Sequence, residues 1–462
     1  MSYRRYSIPT QPAPNSAPHP NRFRVRVRKL KLAELLLREA VHYRLDLPVV
    51  LSRPCVYGVF SGPLGGFMPR EHLCVGCLRC TVEYPNVVRI HPNPERLGLG
   101  DSYLDPDTVD TLLYEAASGR VPVRGAGYAG AFGGDGWDGM WTDMSEIVRP
   151  TRDGIHGREY ISTEVFLGSR PRLLRFDASG QSVGERPRGI SLPIPMLFDL
   201  PPRPARSERA LTALVAAAEV LETLVILPLE LVRDRGLHSA AIVPLVEPAR
   251  AQDAIELPWR PRMVELGGWD PSAFRTLVEG LPDTLIAVRL PFGEDLLSLI
   301  EQGASAFHLT ADYHGRTSAG FVLEGIRSTH SSLVHQGRRE QVTLLGSGGI
   351  VAAEHVPKAI LCGLDAVAVE LSPLIALQAR LLGEALNPDQ APLELPAFEP
   401  GWGKQRLVNL IASWRDQLLE ILGAMGLREV RRLRGEMGRA MFQHELEREA
   451  FASIPGFGEF HD

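Results

Sequence analysis

Three cysteines stand close together in the sequence at a spacing that binds iron. Cys74, Cys77 and Cys80 form the pattern C-x2-C-x2-C. Thiolates at this spacing ligate three irons of one [4Fe–4S] cluster, and Gly76 between them permits a tight loop. In bacterial ferredoxins, three residues separate the third cysteine from a fourth cysteine, which a proline follows; this sequence has Tyr84 and Pro85 at these two positions. The motif therefore predicts an iron–sulfur site in which a phenol replaces the fourth thiol.

Two arrangements would complete such a site. Either Cys55 supplies the fourth thiolate, or the cluster has three irons or one open iron. We favour a [4Fe–4S] cluster held by Cys55 and the three clustered cysteines. A structural zinc site is the alternative, although zinc usually takes two separated C-x2-C pairs. Plain buried thiols are the remaining interpretation, which we adopt only for Cys362, in the predicted helix 357–363.

A glycine-rich turn, Ser347, Gly348 and Gly349, ends a short apolar segment. Backbone amides in such a turn at the start of a helix bind phosphate, and the last two loops of a (β/α)₈ barrel often do so. A tight turn at a strand end is the alternative interpretation. The pattern predicts a phosphorylated cofactor.

Two titratable residues follow the preceding apolar segment. Asp312 and His314 would lie at the carboxyl ends of the barrel strands, where catalytic groups usually lie, and either would serve as a general acid or base. A histidine in a loop is more often structural, and that alternative stays open.

The segment 121–190 carries two further motifs. Its G-x-G-x-x-G pattern, Gly125 to Gly130, is followed by residues that cannot start a helix, so we do not expect a dinucleotide site. Arg149, Arg152 and His156 would hold a carboxylate or phosphate, or form a buried ion-pair network.

The elements that position these residues are short apolar segments, often β-branched, separated by helix-length stretches. Eight buried strands alternating with helices predict a TIM (β/α)₈ barrel, with a doubly wound open sheet as the alternative. The eight segments are 192–198, 224–229, 240–245, 262–266, 285–290, 306–309, 342–345 and 366–369.

We divide the 462 residues into five segments. The chain has a formal net charge of −5 and no run of 18 apolar residues, so we expect no nucleic-acid partner, no membrane span and a cytoplasmic location. The segments are a Pro-rich tail and basic arm with a helix (1–46), an iron–sulfur domain (47–120), a connecting segment (121–190), the barrel (191–385) and a C-terminal helical extension (386–462). We expect residues 1–21 to be disordered or to cover a partner. The basic run from Arg22 to Lys31 is either a solvated arm or a docking site for an acidic partner.

Residues 341–380 resemble the last strands of the FMN-dependent glutamate synthase domain. Residues 405–409 and 422–428 are similar to its closing helices, and 144–165 resembles a related subgroup that carries an N-terminal cysteine motif. The resemblance implies a TIM barrel with FMN, whose phosphate binds at Ser347, Gly348 and Gly349. It also implies electron flow from an iron–sulfur centre and amination of 2-oxoglutarate to glutamate.

The sequence departs from the family at the predicted flavin site. Glu370 follows the last strand, where relatives have a small turn, and its carboxylate would repel a phosphate. Residues 198–202 replace the small-residue flavin platform, and residues 227–230 replace an expected glycine-rich turn. Arg289 stands for the expected lysine on the fifth strand and keeps the positive charge.

Two functional hypotheses follow. The first is a glutamate synthase-like oxidoreductase that passes electrons from the cluster to FMN, with Arg289, Asp312 and His314 around the substrate. The second is a flavin-free barrel that carries an iron–sulfur electron-transfer domain within a larger redox complex. Both predict an electron-donor protein or an NAD(P)H-oxidising subunit. The first adds a partner that supplies ammonia or carries a glutaminase, because residue 2 is serine and not a cysteine nucleophile.

Overall fold

The computed structural model describes residues 6–46, 49–50, 55–122, 134–143, 160–169, 175–183 and 189–457. The chain divides into two units. The barrel unit comprises Met1–Pro14, Ser102–Val123 and Gly130–Asp462, and the cysteine unit comprises Asn15–Asp101 and Arg124–Ala129. The Gly125–Gly130 motif and the residues Arg149, Arg152 and His156 lie outside the described residues.

The described strands and helices are numbered in chain order. The strands are β1 Phe23–Val27, β2 Val88–Pro92, β3 Met140–Thr142, β4 Val165–Gly168, β5 Arg175–Phe176, β6 Ser182–Val183, β7 Gly189–Leu192, β8 Met196–Phe198, β9 Val225–Pro228, β10 Ile242–Val246, β11 Met263–Gly267, β12 Leu285–Pro291, β13 Ala306–Thr310, β14 Arg316–Thr317, β15 Gly320–Phe321, β16 Thr343–Ser347, β17 Ala366–Val369, β18 Arg380–Leu381, β19 Leu393–Glu394 and β20 Ala440–Phe442. The helices are α1 Lys29–His42, α2 Arg79–Glu83, α3 Pro106–Ser118, α4 Glu208–Val220, α5 Leu229–Asp234, α6 Ala251–Ile255, α7 Pro271–Gly280, α8 Leu296–Glu301, α9 Val322–His335, α10 His355–Cys362, α11 Leu371–Ala376, α12 Pro400–Ala424 and α13 Gln443–Phe451.

Eight parallel strands, β8–β13, β16 and β17, close into a barrel. The last strand pairs with the first, with Val367 opposite Met196 and Val369 opposite Phe198. The predicted TIM barrel is confirmed, and the open-sheet alternative is wrong because both edges of the sheet are paired. Strands packed on both faces need continuous apolar side chains, which is why β17 reads Ala-Val-Ala-Val and is wholly buried.

The C-terminal extension packs on the barrel unit through α12. Arg406 on this helix is fully buried and donates to the Ala376 carbonyl and, over 2.7 Å, to the Ala13 carbonyl. Asn409 donates to the Gln11 carbonyl over 2.7 Å. Part of the N-terminal tail that we expected to be disordered or to cover a partner therefore packs on α12, because its carbonyls satisfy buried donors of that helix.

The cysteine unit is built on the antiparallel pair β1–β2 and the helices α1 and α2. Its apolar core includes Val25, Leu32 and Phe60 together with Cys74 and Cys80. Its extent differs from the predicted segment 47–120, since α3 packs against α12 in the barrel unit. None of the described helices is both long enough and apolar enough to cross a lipid bilayer.

Candidate functional site

The loop that carries the three clustered cysteines coils tightly. Gly76 has a φ of +72°, and a Cβ there would lie 2.3 Å from the Phe23 ring, so glycine is required both by conformation and by space. Leu78 also adopts a left-handed conformation, with φ at +59°, and α2 begins directly after it. A non-glycine residue in this region stores backbone strain, which is common where a loop must present ligands.

Four thiols line one small pocket. They are those of Cys55, Cys74, Cys77 and Cys80, and Val25 with Ile90 forms part of the apolar wall. The four cysteines are not in disulfides; Cys74 and Cys80 are buried, while Cys77 is exposed. The structure thus brings together all four predicted ligands.

The donor set decides which group the pocket would hold. Four cysteine thiols around one pocket suit a [4Fe–4S] cluster, in which each iron takes one thiolate, and four thiolates also suit a tetrahedral zinc ion. The C-x2-C-x2-C spacing of three of them favours the cluster, since zinc usually takes two separated C-x2-C pairs. The residues present therefore fit an iron–sulfur cluster.

Burial raises the pKa of the Cys74 thiol and raises that of Cys80 to about 11. The neighbouring thiols add to both shifts, which places the sulfurs in one electrostatic environment. Tyr84, at the position of the fourth ferredoxin cysteine, donates its hydroxyl proton to Glu39 over 3.3 Å. Cys55 lies in the same pocket as the three clustered cysteines, whereas the Tyr84 hydroxyl is hydrogen-bonded to Glu39.

A second polar cluster lies at the carboxyl ends of the barrel strands. The guanidinium of Arg289 on β12 donates two hydrogen bonds to the Asp199 carboxylate, with N–O distances of 2.8 and 3.0 Å. Its Nη1 also donates to Glu265 on β11, over 2.9 Å. The Nδ1 of His308 on β13 lies 3.0 Å from Glu265. The side chains of the three partners are at most 1% exposed, and that of Arg289 is 18% exposed. We call these four residues the barrel ion network.

The network keeps its charges by mutual pairing. Burial opposes ionisation of Asp199, but Arg289 and His308 outweigh it and hold the pKa of this carboxyl below its usual range. Burial likewise opposes ionisation of Glu265, and the same two partners lower its pKa. The pKa of the Arg289 guanidinium is raised, because its attraction to the two carboxylates outweighs the effect of burial, which lowers this pKa.

The buried hydroxyl of Ser347, at the turn predicted to bind phosphate, has no hydrogen-bond partner among the described residues. Glu370 directly follows β17 and is also buried. Burial and then the charge of Asp199 raise its pKa well above 4.5, so the neutral acid is favoured.

The turn itself is packed against its neighbours. A Cβ on Gly348 would lie 2.6 Å from the Cβ of Ala311, and the Gly349 carbonyl accepts a proton from the Tyr103 hydroxyl over 2.8 Å. The unpartnered Ser347 hydroxyl is the group at this turn that an oxygen of an FMN phosphate would satisfy.

Asp312 and His314, the two predicted acid–base residues, both make contacts that hold their loop in place. The Asp312 carboxylate accepts from the backbone amides of His314 and Arg316, over 3.0 and 2.7 Å. The buried His314 ring stacks on Tyr103 with centroids 5.4 Å apart. These contacts favour the structural interpretation of both residues. Their catalytic role remains a prediction.

The sequence-based analysis did not single out Glu265, His308 or Tyr313. Glu265 and His308 each interrupt an apolar strand. A titratable residue inside a buried strand could have indicated a buried ion pair, because burial of a charge requires a partner. Tyr313 is buried beside Glu370 and Asp199, and its pKa is raised, first by desolvation and then by Glu370.

The chain combines a closed eight-stranded parallel barrel with a unit that carries four cysteines in one pocket, and sequence comparisons relate it to a known family. Residues 303–387 match the family model described as the conserved region in glutamate synthase. An archaeal glutamate synthase [NADPH] of Archaeoglobus fulgidus is 24% identical over 493 positions, which cover 89% of this chain and 94% of the relative. An archaeal-type glutamate synthase [NADPH] of Dehalococcoides mccartyi is 24% identical, covering 79% of this chain and 86% of the relative.

The archaeal glutamate synthase [NADPH] of Methanocaldococcus jannaschii is 31% identical over 132 residues, and the match spans 26% of that relative. The chain is related to the glutamate synthases, and the resemblance predicted from the sequence is confirmed. The relatives are oxidoreductases by name, which supports that class for this chain.

Solved structures similar to this chain include proteins whose descriptions name a flavin or a flavocytochrome. A mandelate oxidase mutant with an FMN adduct covers 73% of this chain at 13% identity and a TM-score of 0.42, with 92% of its own length matched. A sulfite-bound flavocytochrome b2 variant covers 71% at 12% identity and a TM-score of 0.41, with 87% of its own length matched. Scores this low add nothing to the barrel assignment, which depends on the strand order.

Proposed function

We propose that this chain is a glutamate synthase-related oxidoreductase whose redox group is a [4Fe–4S] cluster on Cys55, Cys74, Cys77 and Cys80. The observation that carries the proposal is the single pocket lined by all four cysteines, three of them at the C-x2-C-x2-C spacing. When bound, such a cluster takes up and releases one electron at a time. Around it, Val25, Ile90 and the buried thiols limit water access, which tunes the reduction potential.

The charge distribution supports an acidic electron-transfer partner. Residues 15–101 hold 13 Lys and Arg against seven Asp and Glu, a net charge of +6, although the whole chain carries −5. Opposite charges steer two proteins together and accelerate their encounter. A donor with an acidic face therefore suits the cysteine unit.

The two faces of the β1–β2 sheet differ in character: one lines the cysteine pocket and the other is basic. Val25 and Ile90 face the cluster cavity, whereas the exposed Arg26 and Arg89 stand directly opposite each other on the two strands. Like charges at opposite positions of a sheet destabilise it. This cost supports a docking role for the basic face, which the carboxylates of a partner would neutralise.

The rate at which small reductants reach the cluster tests this face. We expect Arg26→Glu with Arg89→Glu to slow reduction by the dithionite anion relative to reduced methyl viologen, a cation, with the difference shrinking at high salt. Arg233→Glu, on the barrel unit, is the matched control. An unchanged ratio of the two rates would argue against the basic face.

Two functional hypotheses remain at the barrel. Electron transfer to FMN and amination of 2-oxoglutarate follow from the family resemblance, and the unpartnered buried hydroxyl of Ser347 supports a phosphate at that turn. The pairing of Arg289 with Asp199 and Glu265 favours the alternative, in which the chain is the iron–sulfur subunit of a larger redox complex.

Cysteine substitution tests the cluster directly. We expect Cys77→Ser to lose iron and the broad absorbance near ~400 nm of a [4Fe–4S] cluster. Cys362→Ser is the matched control, since this thiol is buried in the barrel unit and should leave iron content unchanged. Full iron content in Cys77→Ser would refute the ligand assignment.

A further inference from the structure

We propose that the groove between α1 and the loop 83–87 binds an acidic peptide segment of the electron-transfer partner. The inference deepens the proposed function and rests on it for the redox role of that partner. The groove lies within the cysteine unit, and none of its lining residues lines the pocket of the four cysteines.

Hydrogen bonds between its two walls hold the groove in shape. One wall is a face of α1, and the other is the loop 83–87. The amide of Arg28 donates to the Val87 carbonyl over 2.9 Å, and the Tyr84 hydroxyl donates to Glu39 over 3.3 Å. The groove encloses about 320 Å³, which is within the size range of ligand pockets. A ligand would therefore enter a formed site, which lowers the cost of binding.

The charges of the groove favour an anionic ligand. Its lining holds three cations, Arg28, Lys31 and Arg38, and two carboxylates, Glu34 and Glu83. Glu34 is paired with Lys31 over 2.8 Å, and Glu83 is paired over 2.8 Å with an arginine of α2. Among the described residues, the exposed side chains of Arg28 and Arg38 make no ion pair. Two guanidiniums are thus available to carboxylates of a ligand, which they bind with paired hydrogen bonds.

An apolar ridge on α1 borders the groove and favours a protein as the source of the ligand. Leu30, Leu37 and Val41 are 89%, 71% and 80% exposed. Spacings of seven and four residues place them on one side of the helix, next to the face of Lys31 and Arg38. Contiguous exposed apolar side chains are typical of protein contact sites, whereas a free anion would leave them in water.

The shape and the acids of the groove disfavour other polyanions. Nucleic acid carries a phosphate at every nucleotide, so its backbone would meet Glu34 and Glu83 as well as the arginines. A planar membrane surface does not enter a concave site. A peptide carries carboxylates only where its sequence has them, and its apolar side chains would pack on Leu35, Pro85 and Val87, which also line the groove.

The groove is linked to the cysteine pocket through α2. The amide of Tyr84, in the wall of the groove, donates to the carbonyl of Cys80 over 3.0 Å. Four residues of helix rise about 6 Å, so a segment bound in the groove lies close to one of the four proposed ligands. A partner anchored here is thereby held next to the cluster.

Peptide binding to the full chain, followed by fluorescence polarisation, tests the site. The probes are a labelled peptide of four glutamates and two leucines, and a control peptide with glutamine in place of each glutamate. At low salt the wild type should bind the acidic peptide about tenfold or more tightly than the control, and the preference should shrink as salt is added. Equal affinities for the two peptides would overturn the proposal, as would tighter binding of a DNA oligonucleotide of equal charge.

Two double variants separate the groove from the general field of the cysteine unit. Arg28→Glu with Arg38→Glu should abolish the preference for the acidic peptide. Arg26→Glu with Arg89→Glu makes the same change of charge outside the groove and should keep most of the preference. Equal losses in the two double variants would overturn the assignment to the groove.

Iron content of the same preparations distinguishes this proposal from the proposed function. Loss of the preference in Arg28→Glu with Arg38→Glu, at unchanged iron content, would support the groove and show that the variant is folded. A wild-type preparation without iron would refute the cluster, and the peptide affinities would still decide whether the groove binds acidic segments.

Discussion

Replacing Arg289 by methionine tests whether the barrel ion network is a buried structural device. Methionine keeps the length of the side chain but removes the charge that compensates Asp199 and Glu265. Both carboxylates are at most 1% exposed, and removing one partner of a buried ion pair costs about 3–5 kcal/mol. We expect a loss in that range, because protonation of one carboxyl relieves part of the remaining repulsion.

Arg250 provides a matched control in the same barrel. It also pairs with two carboxylates, those of Glu230 and Asp253, but these groups are solvated. Arg250→Met should change the stability little, since exposed ion pairs contribute little. A similar loss in the two variants would refute the argument from burial.

Guanidinium unfolding followed by tryptophan fluorescence is a suitable assay, since all six tryptophans lie between residues 137 and 414, in the barrel unit. The pH dependence gives a second check. In the wild type the pKa of Asp199 is depressed, so its contribution is present above the unfolded pKa and is lost as the pH falls through the folded one. Without Arg289, burial raises that pKa instead, so the difference between the proteins should be larger at pH 8 than at pH 5.

Three further substitutions have defined outcomes. The folded-state pKa of Glu370 is raised, so the free energy of unfolding of the wild type falls as the pH rises from 4.5 through that folded value. Glu370→Gln removes this titrating group beside Asp199, Arg289 and Tyr313. Relative to the wild type, the variant should therefore be more stable at pH 8 than at pH 5 in the same unfolding assay. Gly76→Ala should lower iron content, because the new Cβ would meet the Phe23 ring, whereas Gly98→Ala, with open space around its Cβ position, should keep its iron. Asp365→Ala should cost about 3–5 kcal/mol, since it leaves Arg339 and Arg434 without their shared buried partner; a loss no greater than that of Asp389→Ala, from an exposed pair, would contradict this.

The barrel could be predicted from the sequence because its strands are buried on both faces. Such strands are continuous apolar runs, visible without knowledge of their neighbours, and β9 and β17 are examples. The four cysteines could be proposed as ligands from the sequence for a similar reason, since three of them share one short loop. Cys55 required the additional argument that a cluster needs a fourth thiolate.

The barrel ion network was hidden because its members meet only when the barrel closes. Arg289 is 90 residues from Asp199 and 24 from Glu265, and no local spacing signals such a pairing. The contact between Gln11 and Asn409 spans 398 residues, and the proline-rich composition of the tail is equally typical of a solvated linker. Long-range pairing, and not local propensity, accounts for what the sequence did not reveal.

Elemental and cofactor analysis of one anaerobic preparation tests the central claim most directly. We predict about four irons and about four acid-labile sulfides per chain. One zinc per chain, or a folded preparation without metal, would contradict the assignment of the four-cysteine cavity to an iron–sulfur cluster.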